Sequence, residues 1–383
     1  MSSSFRATLR LPRLSDRATN PLSTAFASVG SRSASYACLL EAQPEPRFAR
    51  LHEPPLLSWS TLLTQKTPKP VVVASMLFTR IAQTVPPSQK IKKPATLLYL
   101  PSVCNEVVDY LSTTFARPQP FSPDLVETLT QTHPPDTRHA SATTSVVGVE
   151  ANGYLVDRDA EGTISSLAVL QLQTNIERDL AALVEESRSR IFAGNLQVIT
   201  PARCVFVLSP YLSQARHGNS LLWVWFDFDV VRTYLWEGGA LIAIHSFPNL
   251  GLISFVETLS KKLFPQLDDV FWHDQTYRPK GAAASLSESV ATSFAQWIEQ
   301  SVPNLIPKEH NGPLVFVAPS VFWERVGTMA LSRISEYTLY TPRRLLAASP
   351  ATHHLRHTYT PLFQEPPLAL IAQLSTTSLL YAA

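Results

Sequence analysis

The chain has 383 residues, of which 12 are glycine and 31 are proline, about 3% and 8% against usual values of roughly 7% and 5%. This length allows two or three domains, and a hydrophobic fraction of 45% suffices for a large core, which excludes a wholly disordered chain. The formal net charge is +2 at pH 7. Because so small a charge gives no general attraction for polyanions, we expect no nucleic-acid partner.

The chain begins with a basic segment. Residues 1–21 contain four arginines and one acidic residue, Asp16, among serines and threonines. This composition predicts a disordered basic arm that is able to contact anionic lipid. An organellar transit peptide is the alternative, although Pro12 interrupts the helix that such a peptide needs.

The next region, residues 22–117, predicts an α/β lobe. Short apolar runs separated by Gly30-Ser31 and by a proline-containing turn are typical of strands in meander order. A longer apolar run that stops at Pro86-Pro87 indicates a helix. The predicted elements are strands at 25–29, 34–41, 48–52 and 95–100, with a helix at 71–85.

Residues 118–144 are rich in proline, threonine and serine and predict a linker, with a short helix at 124–130. After it, residues 145–210 predict a small inserted module of strands and one helix. The module's predicted elements are a strand at 145–150, the turn Asn152-Gly153, a strand at 167–173, a helix opened by the capping box 174–177, and a strand at 204–208.

Residues 211–350 predict a second lobe. Its strongest signal is Glu237-Gly238-Gly239, which lies between two alternating apolar runs and indicates a hairpin. A capping box at 285–288 opens a helix that carries Val290, Phe294, Trp297 and Ile298 on one face. The other predicted elements are helices at 255–263 and 321–333, strands at 314–317 and 337–340, and a C-terminal loop and helix over 351–383.

The three cysteines, Cys38, Cys104 and Cys204, are 66 and 100 residues apart. These separations are far from the short spacings of metal-binding or redox pairs, and an odd number cannot all form disulfides. We therefore expect reduced, structural thiols in a cytosolic protein.

The order of these elements resembles the actin-like ATPase family, as found in the cell-division protein FtsA and the type IV pilus assembly protein PilM. The resemblance extends from about residue 22 to 345. It implies an α/β chain with the two-lobed, ribonuclease H-like actin fold and a small strand-helix-strand insert. The segments that carry it are 28–33 after the first strand, 149–154 at the start of the insert, and 221–239 with Ser246-Phe-Pro248 and Gly251.

The resemblance also indicates that the family's nucleotide-binding motifs are degenerate. Ser28 stands where the first phosphate loop begins with aspartate, and Asp227-Phe228 stand where the second has a glycine pair. Backbone N–H groups approach phosphate closely only where side chains are small, and Pro319, in the third motif, has no N–H. We expect a vestigial site and no catalytic residue, metal or cofactor. The vestigial site comprises Gly30, Ser31, Ser33, Asp227, Asp229 and Gly251.

Asp227 and Asp229 are the sharpest chemical feature. On a strand, residues i and i+2 share a face, so the two carboxylates are expected beside Trp223 and Trp225. A solvated face, or one paired with Arg232, is the simplest interpretation. The alternatives are a Mg²⁺ site of a working actin-like ATPase that binds Mg-ATP, and the metal site of a D-x-D nucleotide-sugar transferase. The two tryptophans are expected to pack in the core or between the lobes.

The resemblance to PilM implies a function as well. It implies a non-catalytic cytoplasmic scaffold, peripheral to the inner membrane, that binds the short cytoplasmic tail of an inner-membrane protein. The family binds that tail beside the inserted module, which places Asn152, Gly153 and Tyr154 in the expected partner-binding region. Self-association is a further expectation.

Overall fold

The computed structural model describes the backbone of four strand segments before residue 100 and both backbone and side chains in most of the described chain after it. The described residues are 25–29, 34–42, 46–51, 96–99, 104–131, 140–157, 160–176, 178–179, 181–182, 185–186, 196–216, 220–227, 230–248, 250–252, 254–255, 289–290, 292–298, 306, 310, 312–318, 321–334 and 338–341.

The described strands and helices are named in chain order. The strands are β1 (Ala25–Val29), β2 (Ala34–Ala42), β3 (Pro46–Leu51), β4 (Thr96–Tyr99), β5 (Cys104–Pro120), β6 (Ala140–Ala151), β7 (Tyr154–Leu155), β8 (Thr163–Ile176), β9 (Leu196–Ile199), β10 (Ser220–Phe226), β11 (Val230–Glu237), β12 (Ala240–Pro248), β13 (Leu314–Val317) and β14 (Leu339–Tyr340). The helices are α1 (Pro123–Gln131), α2 (Pro201–Arg216) and α3 (Val321–Ile334).

Two five-stranded sheets repeat the same topology. Their strand orders are β3-β2-β1-β4-β9 and β12-β11-β10-β13-β14. In both sheets the first three strands in the chain are antiparallel neighbours, and the last two are added in parallel. The predicted strands at 25–29, 34–41, 48–52, 95–100 and 314–317 are confirmed, with small shifts at their ends.

A third sheet has four strands in the order β5-β8-β6-β7. The long strand β8 lies at its centre, antiparallel to both β5 and β6. Helix α1 packs on one face of this sheet, against Leu167 and Val169. We call this the outer face. The opposite, inner face packs through Leu170 and Leu172 against α2 and the second five-stranded sheet.

The second five-stranded sheet is covered on both sides. On one side, Trp223 and Trp225 of β10 belong to the core that includes α2 and the inner face. On the other side, Val224 and Phe226 pack against α3 and the helical residues 289–290 and 292–298. Since both tryptophans are at most 2% exposed, their predicted packing role is confirmed. The predicted apolar helix face is also buried in this second core and consists of Val290, Phe294, Trp297 and Ile298.

Close packing joins the inner face to strand β12. A Cβ atom added at Gly148 would lie 2.7 Å from the Cβ of Ala240 and 2.7 Å from a methyl carbon of Leu170. Glycine is therefore needed at position 148 because the two backbones approach each other closely. The tip of the predicted hairpin is confirmed at Gly238 and Gly239, whose φ angles of 61° and 102° suit a tight turn.

The structure differs from the sequence interpretation between residues 118 and 210. The stretch predicted as linker contains the end of β5, helix α1 and the start of β6, although the short helix at 124–130 is confirmed. The predicted capping box is wrong because β8 continues to Ile176, and Thr174 pairs with Glu106 on β5. Strand pairing on both sides supplies the backbone hydrogen bonds that a helix would otherwise provide.

The strand predicted at 204–208 is also wrong. These residues lie within α2, where Cys204 N donates a hydrogen bond to Thr200 O. Pro201 occupies the first helical position, which suits a residue without an N–H. The valines of this segment have a high strand propensity. The segment is nevertheless helical, because the helix buries these side chains against the second five-stranded sheet. The division of the chain into six segments stays a prediction.

Candidate functional site

The turn between β10 and β11 contains the first predicted carboxylate, Asp227. Strand β10 ends at Phe226 and β11 begins at Val230, so the strand predicted through this region is interrupted. Asp227 N donates to Val230 O at 2.9 Å, which closes the turn. The expectation of a solvated strand face is wrong for Asp227, because this residue is only 5% exposed. Aspartate favours turns through local backbone hydrogen bonding.

The same turn lies next to Gly251. The backbone N–H of Leu252 donates to Asp227 O at 3.0 Å, and Gly251 is buried. The structure thus brings together two of the six predicted nucleotide-site positions. The other four positions, Gly30, Ser31, Ser33 and Asp229, lie outside the described residues.

Strand β10 fills the space beside this turn with aromatic side chains. Trp223 Nε1 donates to Ser209 Oγ at 2.9 Å, and Ser209 Oγ donates to Val205 O at 2.7 Å. Trp225 packs edge-on against Tyr234, with ring centroids 6.4 Å apart. A buried indole whose N–H already has a partner is a packing group rather than a ligand-binding one.

A buried polar cluster lies on the same side of the second five-stranded sheet. Its centre is Glu106 of β5, whose Oε1 accepts a hydrogen bond from Ala202 N at 2.9 Å. The other oxygen, Oε2, accepts from Tyr234 Oη at 2.7 Å and from Arg232 Nη1 at 3.3 Å. Arg232 Nη2 donates to Cys104 O at 2.6 Å. We call these five residues the junction cluster.

The junction cluster connects three elements that are distant in sequence. Glu106 lies on the four-stranded sheet, Arg232 and Tyr234 lie on β11, and Ala202 lies in the first turn of α2. A carboxylate at a helix N-terminus is stabilised by the unpaired N–H groups and by the helix dipole. Burial and the neighbouring Glu106 carboxylate raise the pKa of the Tyr234 phenol well above its ordinary value, so this residue is a hydrogen-bond donor.

The turn predicted to bind a partner lies between β6 and β7. Asn152 has a φ of 54° and Gly153 a φ of 81°, as a two-residue hairpin requires. The Asn152 side-chain oxygen accepts hydrogen bonds from the Ser165 N–H at 2.8 Å and the Ser165 hydroxyl at 2.9 Å. Asn152 therefore fixes the turn against β8, whereas Tyr154 is 76% exposed and free to meet another molecule.

The chain is similar to known proteins in structure but matches none of them in sequence. No family model matches the chain, and no curated protein matches it. The structure is similar to a solved PilM–PilN type IV pilus biogenesis complex, with a TM-score of 0.53 at 10% identity over 91% of this chain and 98% of that chain.

Two further solved structures are similar over most of the chain. One is the ethanolamine utilization protein EutJ from Carboxydothermus hydrogenoformans, with a TM-score of 0.37 at 10% identity, covering 92% of this chain and 91% of that one. The other is a Bacteroides thetaiotaomicron protein with an actin-like ATPase fold and unknown function, with a TM-score of 0.37 at 9% identity, covering 84% and 90%.

This chain has an actin-like ATPase fold. The similarity to the pilus complex, together with the repeated strand order of the two five-stranded sheets, confirms the predicted fold class. In this actin-like chain the turns β1–β2 and β10–β11 occupy equivalent places in the two sheets.

Sequence reasoning missed the centre of the junction cluster. Glu106 is a lone charge at an inward position of the actin-like chain's strand β5, and Arg232 is a lone charge in the apolar run of β11. A buried charge needs a partner, so each residue was a signal that pairing existed somewhere. Only the fold reveals that they pair with each other, 126 residues apart.

The described residues contain no group of three or more histidine, cysteine, aspartate or glutamate side chains placed to hold a metal ion. Within the same residues, every helix is too short or too polar to cross a membrane.

Proposed function

We propose that this chain is a non-catalytic actin-like scaffold that binds the short cytoplasmic tail of an inner-membrane protein. The observation that carries the proposal is the match to the PilM–PilN complex, which spans 91% of this chain and 98% of that one. A match over both whole chains means that the neighbour has the same overall arrangement rather than one shared lobe. By this analogy the chain is a cytoplasmic protein at the inner membrane that takes part in pilus or envelope assembly.

The packing around the β10–β11 turn supports the absence of catalysis in this proposal. A nucleotide needs an open loop of small residues where backbone N–H groups meet phosphate. Here Asp227 is 5% exposed and the neighbouring Trp225 is 2% exposed. The Asp227 N–H and carbonyl are both used in hydrogen bonds within the protein.

Calorimetric titration with Mg-ATP tests the absence of nucleotide chemistry. We expect no heat of binding from the wild-type chain at micromolar concentrations. Micromolar binding that is lost in Asp227→Asn would contradict the proposal and favour a working ATPase. Mn²⁺-dependent binding of a nucleotide sugar would favour a D-x-D transferase instead.

Site-specific photocrosslinking in cells tests the scaffold role. A photoreactive amino acid is placed at position 154, where Tyr154 is exposed in the predicted partner-binding turn, and at the exposed position 127 on α1 as a matched control. We expect position 154, and not position 127, to crosslink to an inner-membrane protein. Equal crosslinking from both positions, or none to a membrane protein, would overturn the proposal.

A further inference from the structure

Strand β5 forms one edge of the four-stranded sheet. Among the strands that the structure describes, it pairs with β8 alone. It extends over 17 residues, from Cys104 to Pro120. The free side of a long edge strand offers a row of backbone N–H and C=O groups to another chain, and proteins usually carry features that prevent such pairing.

The other edge strands of the three described sheets carry such features. Strands β7 and β14 have two residues each, and β9 has four. Strand β3 begins at Pro46 and carries two arginines. Strand β12 ends at Pro248 and packs against Gly148 of the inner face through Ala240. Short length, proline, charge and cover by a neighbouring element all protect a sheet edge.

The middle of β5 lacks this protection. Pro118 lies near the C-terminal end of the strand, where pairing with β8 is irregular between Thr114 and Gln119. From residue 107 to Thr114 the pairing is regular, and this stretch contains neither proline nor lysine. We call residues 107–115 the open edge.

The open edge is accessible from both faces of the sheet. Val107 lies on the outer face opposite Gln173, and Tyr110 lies on the inner face opposite Leu170. Their side chains are 39% and 59% exposed. Ser112, the next inner-face position, is exposed as well. This half of β5 therefore extends beyond the part of the inner face that packs against α2 and the second five-stranded sheet, and a further strand is able to reach it.

We propose that two copies of this chain associate through the open edge, with their β5 strands paired antiparallel, so that two four-stranded sheets become one sheet of eight strands. The two-fold axis that relates two identical antiparallel neighbours is perpendicular to the sheet. It keeps the outer faces of both copies on the same side, so opposed residues belong to the same face. This inference concerns self-association and goes beyond the proposed binding of a membrane-protein tail.

The sequence of the open edge is self-complementary in a register centred on Leu111. The opposed pairs are Val107–Phe115, Val108–Thr114, Asp109–Thr113, Tyr110–Ser112 and Leu111–Leu111. Apolar residues meet apolar residues on the outer face, where Leu111 and Phe115 already pack in the core beneath α1. The carboxylate and the phenol each meet a hydroxyl. Such cross-strand pairs stabilise a sheet.

Charge favours the same register. Asp109 is the only charged residue of the open edge. A register centred on Asp109 places two carboxylates directly opposite each other, which destabilises a sheet, and one centred on Tyr110 places the carboxylate opposite Leu111. In the register centred on Leu111, the two aspartates are four positions apart along the strands. This is about 14 Å, beyond the screening length of about 8 Å at physiological salt.

The hydrogen bonding of Asp109 fits this arrangement. Asp109 Oδ2 accepts a hydrogen bond from Gln173 Nε2 at 2.5 Å within the same copy. A carboxylate accepts through both of its oxygens, so Oδ1 serves the Thr113 hydroxyl of the second copy.

Sedimentation velocity of the full-length chain over a concentration series tests the association. We expect a reversible equilibrium between monomer and dimer. Val107→Lys places a charge on the open edge and should weaken the dimer at least tenfold. Tyr154→Lys places the same charge on the other edge strand, β7, and is the matched control that should leave the dimer unchanged. Since both positions are exposed, both variants should keep the melting temperature of the wild type.

Disulfide formation between copies tests the register. Tyr110→Cys and Ser112→Cys are prepared separately, mixed and oxidised. The mixture should form a crosslinked dimer, because the Cβ atoms of directly opposed residues are about 4.5–5.5 Å apart. Each variant alone should form much less, because identical positions are diagonal neighbours about 7–8 Å apart, which is too far for a disulfide. The wild-type chain, oxidised in the same way, measures the background from the native cysteines.

The possible outcomes separate the open edge from the scaffold role. A chain that stays monomeric at every concentration would overturn the inference, as would a dimer that Tyr154→Lys weakens as much as Val107→Lys does. If the mixed cysteine variants crosslink no more than either variant alone, the pairing centred on Leu111 is wrong. None of these results depends on the membrane-protein crosslink from position 154, which remains the measure of the proposed function.

Discussion

The two faces of the four-stranded sheet both bury polar groups, but the hydrogen bonding of these groups differs between the faces. On the inner face, both carboxylate oxygens of Glu106 accept hydrogen bonds, from α2 and from β11. On the outer face, Gln171 Oε1 and Asn175 Oδ1 have no donor among the described residues. The polar groups at the centre of the inner face are therefore paired within the molecule, whereas two acceptors on the outer face are not paired with any described residue.

The difference teaches how pairing decides what a buried polar group does to the stability of this chain. A buried charge with good partners fixes the geometry of the elements that it joins, and removing one partner is expensive. A buried amide oxygen without a partner destabilises the folded protein, because its hydration is lost and no hydrogen bond replaces it. The following changes test the inner face, which is the structural half of the comparison.

The largest effect is expected from Glu106→Gln. This change removes the carboxylate that Arg232 Nη1 meets at 3.3 Å, so we expect a loss of about 3–5 kcal/mol in the free energy of unfolding, measured by urea denaturation. The double variant Glu106→Leu with Arg232→Met should recover most of the loss because it removes both charges. If the single variant loses less than about 1 kcal/mol, the junction cluster does not hold the four-stranded sheet to the second five-stranded sheet.

A smaller effect is expected from Gly148→Ala. The new Cβ would meet the Ala240 Cβ at 2.7 Å, and overpacking of this kind costs about 1–3 kcal/mol. Ala240→Gly in the same chain removes the opposing Cβ and should restore most of the stability. Absence of any rescue, again by urea denaturation, would show that β6 and β12 do not meet as described.

The pH dependence of stability tests the burial of two thiols, Cys104 on β5 and Cys204 on α2. Burial raises the pKa of Cys104 and Cys204 well above the ordinary value. A raised pKa in the folded state means that the stabilisation is complete below the unfolded pKa of about 8.5 and declines as the pH rises above it. We expect each thiol to remove about 1.4 kcal/mol per pH unit above pH 9.

The control for this slope is Cys204→Ala. This variant has one buried thiol fewer, so its unfolding free energy should fall less steeply between pH 9 and pH 10 than that of the wild type. Identical slopes would mean that Cys204 is not buried in the folded protein.

The smallest effect is expected from Tyr110→Phe. The Tyr110 hydroxyl donates to Glu150 Oε2 at 2.9 Å, but Tyr110 is 59% exposed. Exposed polar pairs add little stability, so we expect a change below about 0.5 kcal/mol in the free energy of unfolding. A loss as large as that of Glu106→Gln would contradict this expectation. It would mean that burial does not explain why the Glu106 hydrogen bonds stabilise the protein more than the Tyr110 hydrogen bond.

Much of the fold was predictable because it depends on local patterns. Strand β1 and strand β13 were predicted with their observed ends, and the hairpin at Gly238-Gly239 follows from the need for positive φ. The errors share one cause. Thr174 and Cys204 lie where local propensity and tertiary pairing disagree, and the neighbouring strands or the core decided the outcome.

The candidate site was less predictable than the fold. The sequence singled out Asp227, but its carboxylate lies in a packed turn rather than on an exposed strand face. It also singled out Asn152, Gly153 and Tyr154, whose turn is confirmed and whose partner role stays a prediction. The partners of Glu106 could not be predicted, because the alternation of β5 indicates only that this charge faces inward and does not indicate which elements pack against it.

The sequence by itself determined the class of fold. Hydrophobic periodicity and turn residues indicate each element from a few neighbouring positions, and the order of these elements can be followed along the chain. It also indicated that the glycines of a phosphate-binding cleft are missing. Only the tertiary structure decided which polar groups are paired, because Glu106 and Arg232 meet across 126 residues, while Gln171 Oε1 and Asn175 Oδ1 accept no hydrogen bond among the described residues. Pairing depends on which strands become neighbours, and that is a property of the whole fold.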